Sequence, residues 1–250
     1  MNPDWAEAEL LPEVQENDVK SLWVFGYGSL CWRPGFDFNK AVTGFIKGYA
    51  RRMWQGNTTH RGTEDKPGRV ATLIEDPQDV VHGVAFAISG DDAMTYLSKR
   101  ECKLGSYTTQ FATFYPVKGQ PFKVLAYVAQ PENPLWLGGA DEKSIAQHIL
   151  DCSGPSGHNV EYLVRLADFM REHFPVHYDA HLFTIENEIL ELIRNKKLCL
   201  KSMMGNGEGC IRLKQKSPCS PSDMVDEPQR TDTFLYSVKI QKKKLRCLNP

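Results

Sequence analysis

No apolar run in this 250-residue chain approaches the ~18 residues that span a bilayer. The N-terminus, Met1-Asn2-Pro3-Asp4, has no basic segment followed by an apolar one, so it does not read as a secretory signal. The seven cysteines are scattered, with no Cys-x-x-Cys pair. That excludes a disulfide scaffold or zinc ribbon and fits reduced thiols in the cytoplasm. No His-Glu-x-x-His is present, and Gly-x-Ser-x-Gly is missing too. Net charge is -1, which gives no global sign of nucleic acid or membrane binding. The charge is uneven, however. Residues 201–250 hold ten Lys/Arg against five Asp/Glu, leaving twenty against twenty-six before them. An acidic body carries a basic tail.

What is present begins at Phe25-Gly26-Tyr27-Gly28-Ser29-Leu30. The apolar run from Leu22 stops at two glycines bracketing a tyrosine. A strand feeding a tight turn fits this pattern, with glycine supplying either unusual backbone angles or close approach. Successive N–H groups in such a turn can cradle an anion or a carboxylate. Cys31 stands where a dinucleotide fingerprint needs its third glycine, and no Gly-Lys-Ser/Thr follows. The turn is a candidate substrate loop, and an ordinary bend is the bland alternative.

Strand patterns follow at Leu22–Phe25, Ala41–Tyr49, Arg69–Ile74, Val80–Ile88, Thr109–Tyr115 and Phe122–Ala129, each rich in β-branched and aromatic residues. Ser89-Gly90-Asp91-Asp92 reads as a helix start, with that helix reaching about Arg100. The second half turns helical, at Asp141–Asp151 and Ser156–Arg171. A third helix carries Leu182, Ile185, Ile189, Leu192 and Ile193 on one face. Strands first and helices afterwards indicate an α+β fold. Residues 1–20 form a polar arm and 21–197 the domain. Residues 198–250, with Gly205-Asn206-Gly207-Glu208-Gly209 and Ser217-Pro218-Cys219-Ser220-Pro221, read as a largely disordered tail. Thr233–Ile240 could add a strand. Lys242-Lys243-Lys244 leaves room for an acidic partner, though such runs are more often simply solvated.

Further motifs stand in order: Arg51-Arg52-Met53-Trp54-Gln55-Gly56, His60-Arg61-Gly62, Pro67-Gly68-Arg69-Val70, Arg100-Glu101, Gly105 with Tyr107, and Ser153-Gly154-Pro155-Ser156-Gly157-His158-Asn159 with Glu161-Tyr162. Together with the first turn they closely resemble the ChaC family of glutathione-specific γ-glutamylcyclotransferases over residues 21 to 195. The last fifty-odd residues do not. The resemblance implies a small mixed β-barrel packed with helices, the active cavity at its mouth, and no cofactor. It implies glutathione as substrate, closed on itself into 5-oxoproline with release of Cys-Gly. Glu101 matches the family's acid–base residue, and the loop Tyr27, Gly28, Ser29, Leu30 its substrate loop. Arg61, Arg69 and Tyr107 are secondary binding candidates, each equally open to a structural role. Relatives often carry glycine where this chain has Ser106.

Rival classes remain on the residues alone. His173, His177 and His181 have helical spacing, but Pro175 would break that helix. Cys102 or Ser29 could act as a nucleophile with His60 or His158 as base. A non-catalytic γ-glutamyl or protein-binding module, and a cyclotransferase for other γ-glutamyl amino acids or amines, share the same motifs.

Overall fold

The computed structural model describes residues 22–88, 107–207, 210–211, 213–215 and 234–237. The expected arm 1–20, the helix after Ser89, Glu101, Cys102, Gly105, Ser106 and the Lys242–Lys244 cluster lie outside the described residues.

Five strands close into a barrel. They are β1 (Leu22–Gly26), β2 (Lys40–Asn57), β3 (Gly68–Ile88), β4 (Thr108–Pro116) and β5 (Phe122–Val128). Their order around the barrel is β1-β3-β2-β4-β5. Neighbours are antiparallel except β1 and β5, which meet in parallel at Val24 and Leu125. Closure removes the exposed strand edges that an open sheet would present. Side chains of Val24, Phe25, Ile46, Val84, Phe86, Phe114 and Val124 fill the core with almost no exposure. The apolar patterning of these strands anticipated that packing.

Two expected strands, Arg69–Ile74 and Val80–Ile88, are one element. The break in their pattern is nevertheless physical. Tyr49 pairs with Glu75 and Lys47 with Val80, so residues 76–79 bulge out opposite the single residue Gly48. Gly48 has φ +84, a conformation that L side chains resist. Pro77 lacks the N–H that a ladder requires, and the bulge is where the sheet tolerates it. The Asp76 carboxylate accepts from the Gln78 N–H at 3.1 Å and closes the excursion.

Helices cover one side of the barrel: α1 (Glu142–Leu150), α2 (Asn159–His173) and α3 (Ala180–Asn195). Asp141 and Asp179 cap the first and third through N–H bonds of 2.9 and 3.0 Å. The expected start of α2 at Ser156 moves to Asn159. Ser153–Gly154 (β6) and Gly157–His158 (β7) form a small hairpin first, turned through Gly157 at φ +109. Val160, Leu163, Val164, Ala167 and Met170 of α2 are buried, as are Leu182, Ile185, Ile189 and Ile193 of α3.

Part of the expected tail is ordered. Leu200–Met203 make a short helix, α4, Cys210 is buried, and β8 (Leu213–Gln215) pairs with β9 (Phe234–Ser237). The expected strand within 233–240 is thus β9. The histidine spacing dissolves in the structure. His173 ends α2, and His181 sits in α3 on the other side of the Pro175 turn.

A deeply buried polar link between barrel and helices is Arg51, whose side chain is 1% exposed. Its Nη1 donates to Asp179 Oδ2 at 3.1 Å and its Nη2 to the His82 carbonyl. The neighbouring Arg52 donates to the Arg51 carbonyl at 2.8 Å. His82 stacks on His177 at 4.1 Å between ring centroids. Burial, then the neighbouring His177 and Arg51 charges, push its pKa down to about 4. Between that value and the ordinary one near 6.5, the unfolded chain binds a proton that the fold refuses. The stability from neutral His82 is therefore complete above about pH 6.5 and falls away as pH drops through 6 and 5. The melting temperature of wild type should fall over that interval. His82→Phe, which keeps the ring packing, should flatten the fall in a thermal-melt series from pH 7.5 to 4.5.

Candidate active site

A cavity of about 260 Å³ opens at one end of the barrel. The turn that leaves β1 forms one wall, with Tyr27, Gly28, Ser29 and Leu30 all lining it. Trp32, Asn57, His60, Arg61, Tyr107, Tyr127 and Tyr162 form much of the remainder. Six of the seven substrate-loop and secondary candidates named above thus share one cavity. The seventh, Arg69, is not among its lining residues.

The turn is fixed by packing. Ser29–Cys31 form a single 3-10 turn, in which the Cys31 N–H donates to the Gly28 carbonyl at 3.0 Å and the Trp32 N–H to the Ser29 carbonyl at 3.2 Å. The amides of Gly28 and Leu30 make no hydrogen bond among the described residues. A Cβ on Gly26 would stand 2.7 Å from Leu30 Cβ, and one on Gly28 would stand 2.6 Å from Tyr162 Oη. Neither glycine has positive φ. At both positions close approach leaves no room for a side chain.

Tyrosines brace this wall from both sides. The Tyr27 hydroxyl donates to the Tyr127 carbonyl of the neighbouring strand β5. Tyr162, from α2, accepts the Ala71 N–H at 3.0 Å and meets the Trp32 ring edge-on at 5.2 Å. The Cys31 thiol is fully buried behind the turn, donates to the Gly26 carbonyl at 3.3 Å, and is pushed up to about 12 by burial. It is a small apolar filler, not a nucleophile.

A second wall is the loop after β2. Asn57 Oδ1 accepts the N–H groups of His60 and Arg61 at 2.9 and 2.7 Å. The Asn57 side chain thereby fixes the loop that carries Arg61. Arg61 Nη1 donates to Glu161 Oε2 at 2.7 Å and to the His158 carbonyl at 3.0 Å. Arg165 donates to Glu161 Oε1 at 2.8 Å. Burial favours the protonated form of Glu161, but hydrogen bonds and charge from Arg61 and Arg165 prevail and hold the carboxyl below its usual range. Glu161 appeared in the sequence motifs, yet its role as counter-charge was not read from them. Its partner Arg61 lies one hundred residues away.

Arg69 is buried in a different setting. Its Nη1 donates to the Met53 and Gly138 carbonyls at 3.0 and 2.9 Å. Its backbone N–H and carbonyl are both held by Asn159, at 2.6 and 2.8 Å. This arginine ties β3 to β2, to the chain before α1 and to the start of α2. His158 is likewise structural, accepting the Val160 N–H at 3.1 Å as the cap of α2. Trp54, half-buried, meets Trp136 edge-on at 6.1 Å. Among the described residues no group of three His, Cys, Asp or Glu is placed to hold a metal ion.

A sequence model of the ChaC-like protein family matches residues 22–192. The chain belongs to that family. Among curated proteins, this ChaC-like chain is 50% identical over 179 residues to human glutathione-specific γ-glutamylcyclotransferase 1, covering 70% of this chain and 81% of that one. It is 47% identical to the zebrafish protein of the same name, over 70% and 91% of the two chains. A fission yeast glutathione-specific γ-glutamylcyclotransferase is 35% identical, over 68% and 92%. A solved structure of a γ-glutamylcyclotransferase specific to glutathione from yeast superposes with a TM-score of 0.62 at 26% identity, covering 69% of this chain and 96% of that one. The fold is that of the γ-glutamylcyclotransferases.

The close approach of Gly28 to Tyr162 generates a prediction for the ChaC-like domain. Gly28→Ala drives a methyl into the Tyr162 hydroxyl and should cost about 1–3 kcal/mol of stability, the usual penalty for overpacking. Tyr162→Phe removes the obstructing oxygen. Urea unfolding of the two single variants and the double variant should therefore show a favourable coupling of at least about 0.5 kcal/mol. Strict additivity would mean that the two groups do not touch.

Proposed function

We propose that this ChaC-like protein degrades glutathione, releasing 5-oxoproline and Cys-Gly. The observation that carries the reading is 50% identity to a glutathione-specific γ-glutamylcyclotransferase over four-fifths of that relative. The site supports it: a compact cavity, a turn offering backbone amides, and a buried cation in its lining.

The reaction needs no enzyme nucleophile. The α-amine of the γ-glutamyl unit attacks its own γ-carbonyl carbon. A C–N bond forms within a five-membered ring, and the isopeptide C–N bond to cysteine breaks. The proton lost by the attacking nitrogen ends on the departing cysteinyl nitrogen. Held in the bent conformation, such a pair reaches effective concentrations of ~10⁵–10⁸ M, so orientation supplies much of the acceleration.

The Gly28 and Leu30 amides point the reading to an oxyanion site, where a tetrahedral intermediate would place negative charge. Tyr27 and Ser29 flank the γ-glutamyl head, and Tyr107 closes the cavity beside them. Arg61 contributes positive potential for a substrate carboxylate, while its bond to Glu161 fixes its position. Arg69 serves as a brace, since its guanidinium is engaged by two carbonyls. Glu101 is the acid–base group: a carboxylate can take the amine's proton and return it to the leaving nitrogen. The free cysteines among the described residues, Cys31, Cys152, Cys199 and Cys210, fit a reducing compartment, and we place the protein in the cytoplasm. No described helix is long and apolar enough to cross a membrane.

Release of 5-oxoproline from glutathione tests the reading, with γ-glutamyl-alanine and oxidised glutathione run in parallel. Wild type should act on glutathione, and Glu101→Gln should lower kcat by about 10²–10⁴-fold, the range for a lost general acid–base. Cys102→Ala should keep wild-type turnover. Its loss there would point to thiol chemistry, and turnover of γ-glutamyl-alanine would widen the substrate class. Silence of the folded wild type towards all three would leave a binding module.

A further inference from the structure

The family match ends at residue 192, yet the chain returns to the cavity after that point. Beyond α4, the Gly205 N–H donates to Glu161 Oε1 at 3.0 Å. Gly207 takes φ +75, and the Cys210 N–H donates to the Gly207 carbonyl at 3.1 Å. Cys210 is buried, and the next amide, that of Ile211, donates to the Trp32 carbonyl at 2.7 Å.

These contacts land on both walls of the cavity. Glu161 is the carboxylate that holds Arg61. Gly205 reaches it only because it lacks a side chain, since a Cβ there would lie 2.9 Å from Oε1 and 3.3 Å from Oε2. Trp32 lines the cavity and ends the substrate turn. Its ring meets Tyr162, whose hydroxyl stands against Gly28. One short piece of backbone therefore touches the group that fixes the cation and the residue that closes the amide-bearing turn. Both touches use main-chain donors, so they constrain position without adding a reacting group.

We propose that residues 205–207 and 210–211, outside the family domain, act as a strap that positions the substrate turn and Arg61 for the cyclotransfer reaction. The proposal rests on the cyclotransferase reading for its kinetic consequence, though not for its geometry. Gly205 and Ile211 are positioning residues. With the strap displaced, the turn can tilt at Trp32 and the Glu161 carboxylate loses one of its donors. A misplacement of about 1 Å in a positioning element can cost on the order of 10²-fold in rate.

The test uses the full chain with three substitutions. Ile211→Pro deletes the amide donor to Trp32. Gly205→Val forces the backbone away from Glu161. Ile211→Val keeps the amide and serves as the conservative control. Steady-state turnover of glutathione gives kcat and KM for each variant. Amide hydrogen exchange is followed at residues 27–33 and, for comparison, at residues 82–88 of the barrel. Ile211→Pro and Gly205→Val should each lower kcat by about tenfold or more. They should speed exchange at 27–33 while leaving 82–88 protected, and Ile211→Val should match wild type in every measurement. Folded variants whose kcat and KM both stay within about twofold of wild type would overturn the strap. So would a uniform rise in exchange across both segments, which would mark a merely global contribution to stability. If Ile211→Pro does not fold, Gly205→Val carries the test alone. A wild type that releases no 5-oxoproline would defeat the cyclotransferase reading, and the exchange data would then decide the strap by themselves.

Discussion

The Glu161 carboxylate is the constraint on which the site's architecture depends. A buried, ionised carboxylate is tolerable only if its oxygens are met by donors, preferably charged ones. Glu161 is 5% exposed and has three such donors: Arg61, Arg165 and the Gly205 amide. They come from the loop after β2, from the same helix one turn on, and from the segment beyond α4. Satisfying one charge thus draws three separate stretches of chain to one point beside the cavity. The same logic sets the order of effects at Glu161. Desolvation pushes the carboxyl's pKa up, and the two guanidinium partners outweigh it.

The turn after β1 is held on a different principle, close packing without charge. Gly26 admits Leu30 from one side and Gly28 admits the Tyr162 hydroxyl from the other. The Tyr27 hydroxyl ties the turn to the Tyr127 carbonyl of the adjacent strand β5. A reaction that proceeds by bending the substrate onto itself depends on rigid walls more than on reactive side chains. One wall here is stiffened by steric contact and the other by an ion pair. Tyr162 and Glu161, adjacent in α2, serve one wall each, so this helix sets the distance between them.

The strand and helix content was legible because the apolar patterning is regular. β1, β4 and β5 lie within a residue of where their composition puts them, and the buried faces of α2 and α3 are those of the helical spacing. Other features depended on information that a linear pattern does not carry. The interruption in β3 looked like an end because Asp76-Pro77-Gln78-Asp79 are turn residues. Only pairing opposite Gly48 shows it to be a bulge within one strand. The glycines of the first turn signalled a special position, but close approach and unusual angles leave the same mark in a sequence. Arg61 and Arg69 looked equivalent, each beside glycine in a short motif. Their difference lies in partners up to one hundred residues away: a carboxylate for one, two carbonyls for the other. Glu101 came from family resemblance, and nothing in composition or spacing singles it out.

The segment after residue 198 illustrates the limit most clearly. Its Gly205-Asn206-Gly207-Glu208-Gly209 and Ser217-Pro218-Cys219-Ser220-Pro221 runs have the composition of a linker. Composition measures how much apolar surface a segment can bury, and disorder follows when that amount cannot offset the entropy of ordering. A segment can also be ordered by a few main-chain bonds to a surface that is already rigid. Gly205 and Ile211 do this with one amide each, to a carboxylate and to a carbonyl. Main-chain donors are present at every residue except proline, so such anchoring has no side-chain signature. Glycine then has two opposite meanings in the same seven residues. At Gly207 it allows the positive φ of a turn, while at Gly205 it allows backbone to approach a buried charge. What reads as flexibility in the sequence is, at these two positions, the means by which the backbone docks.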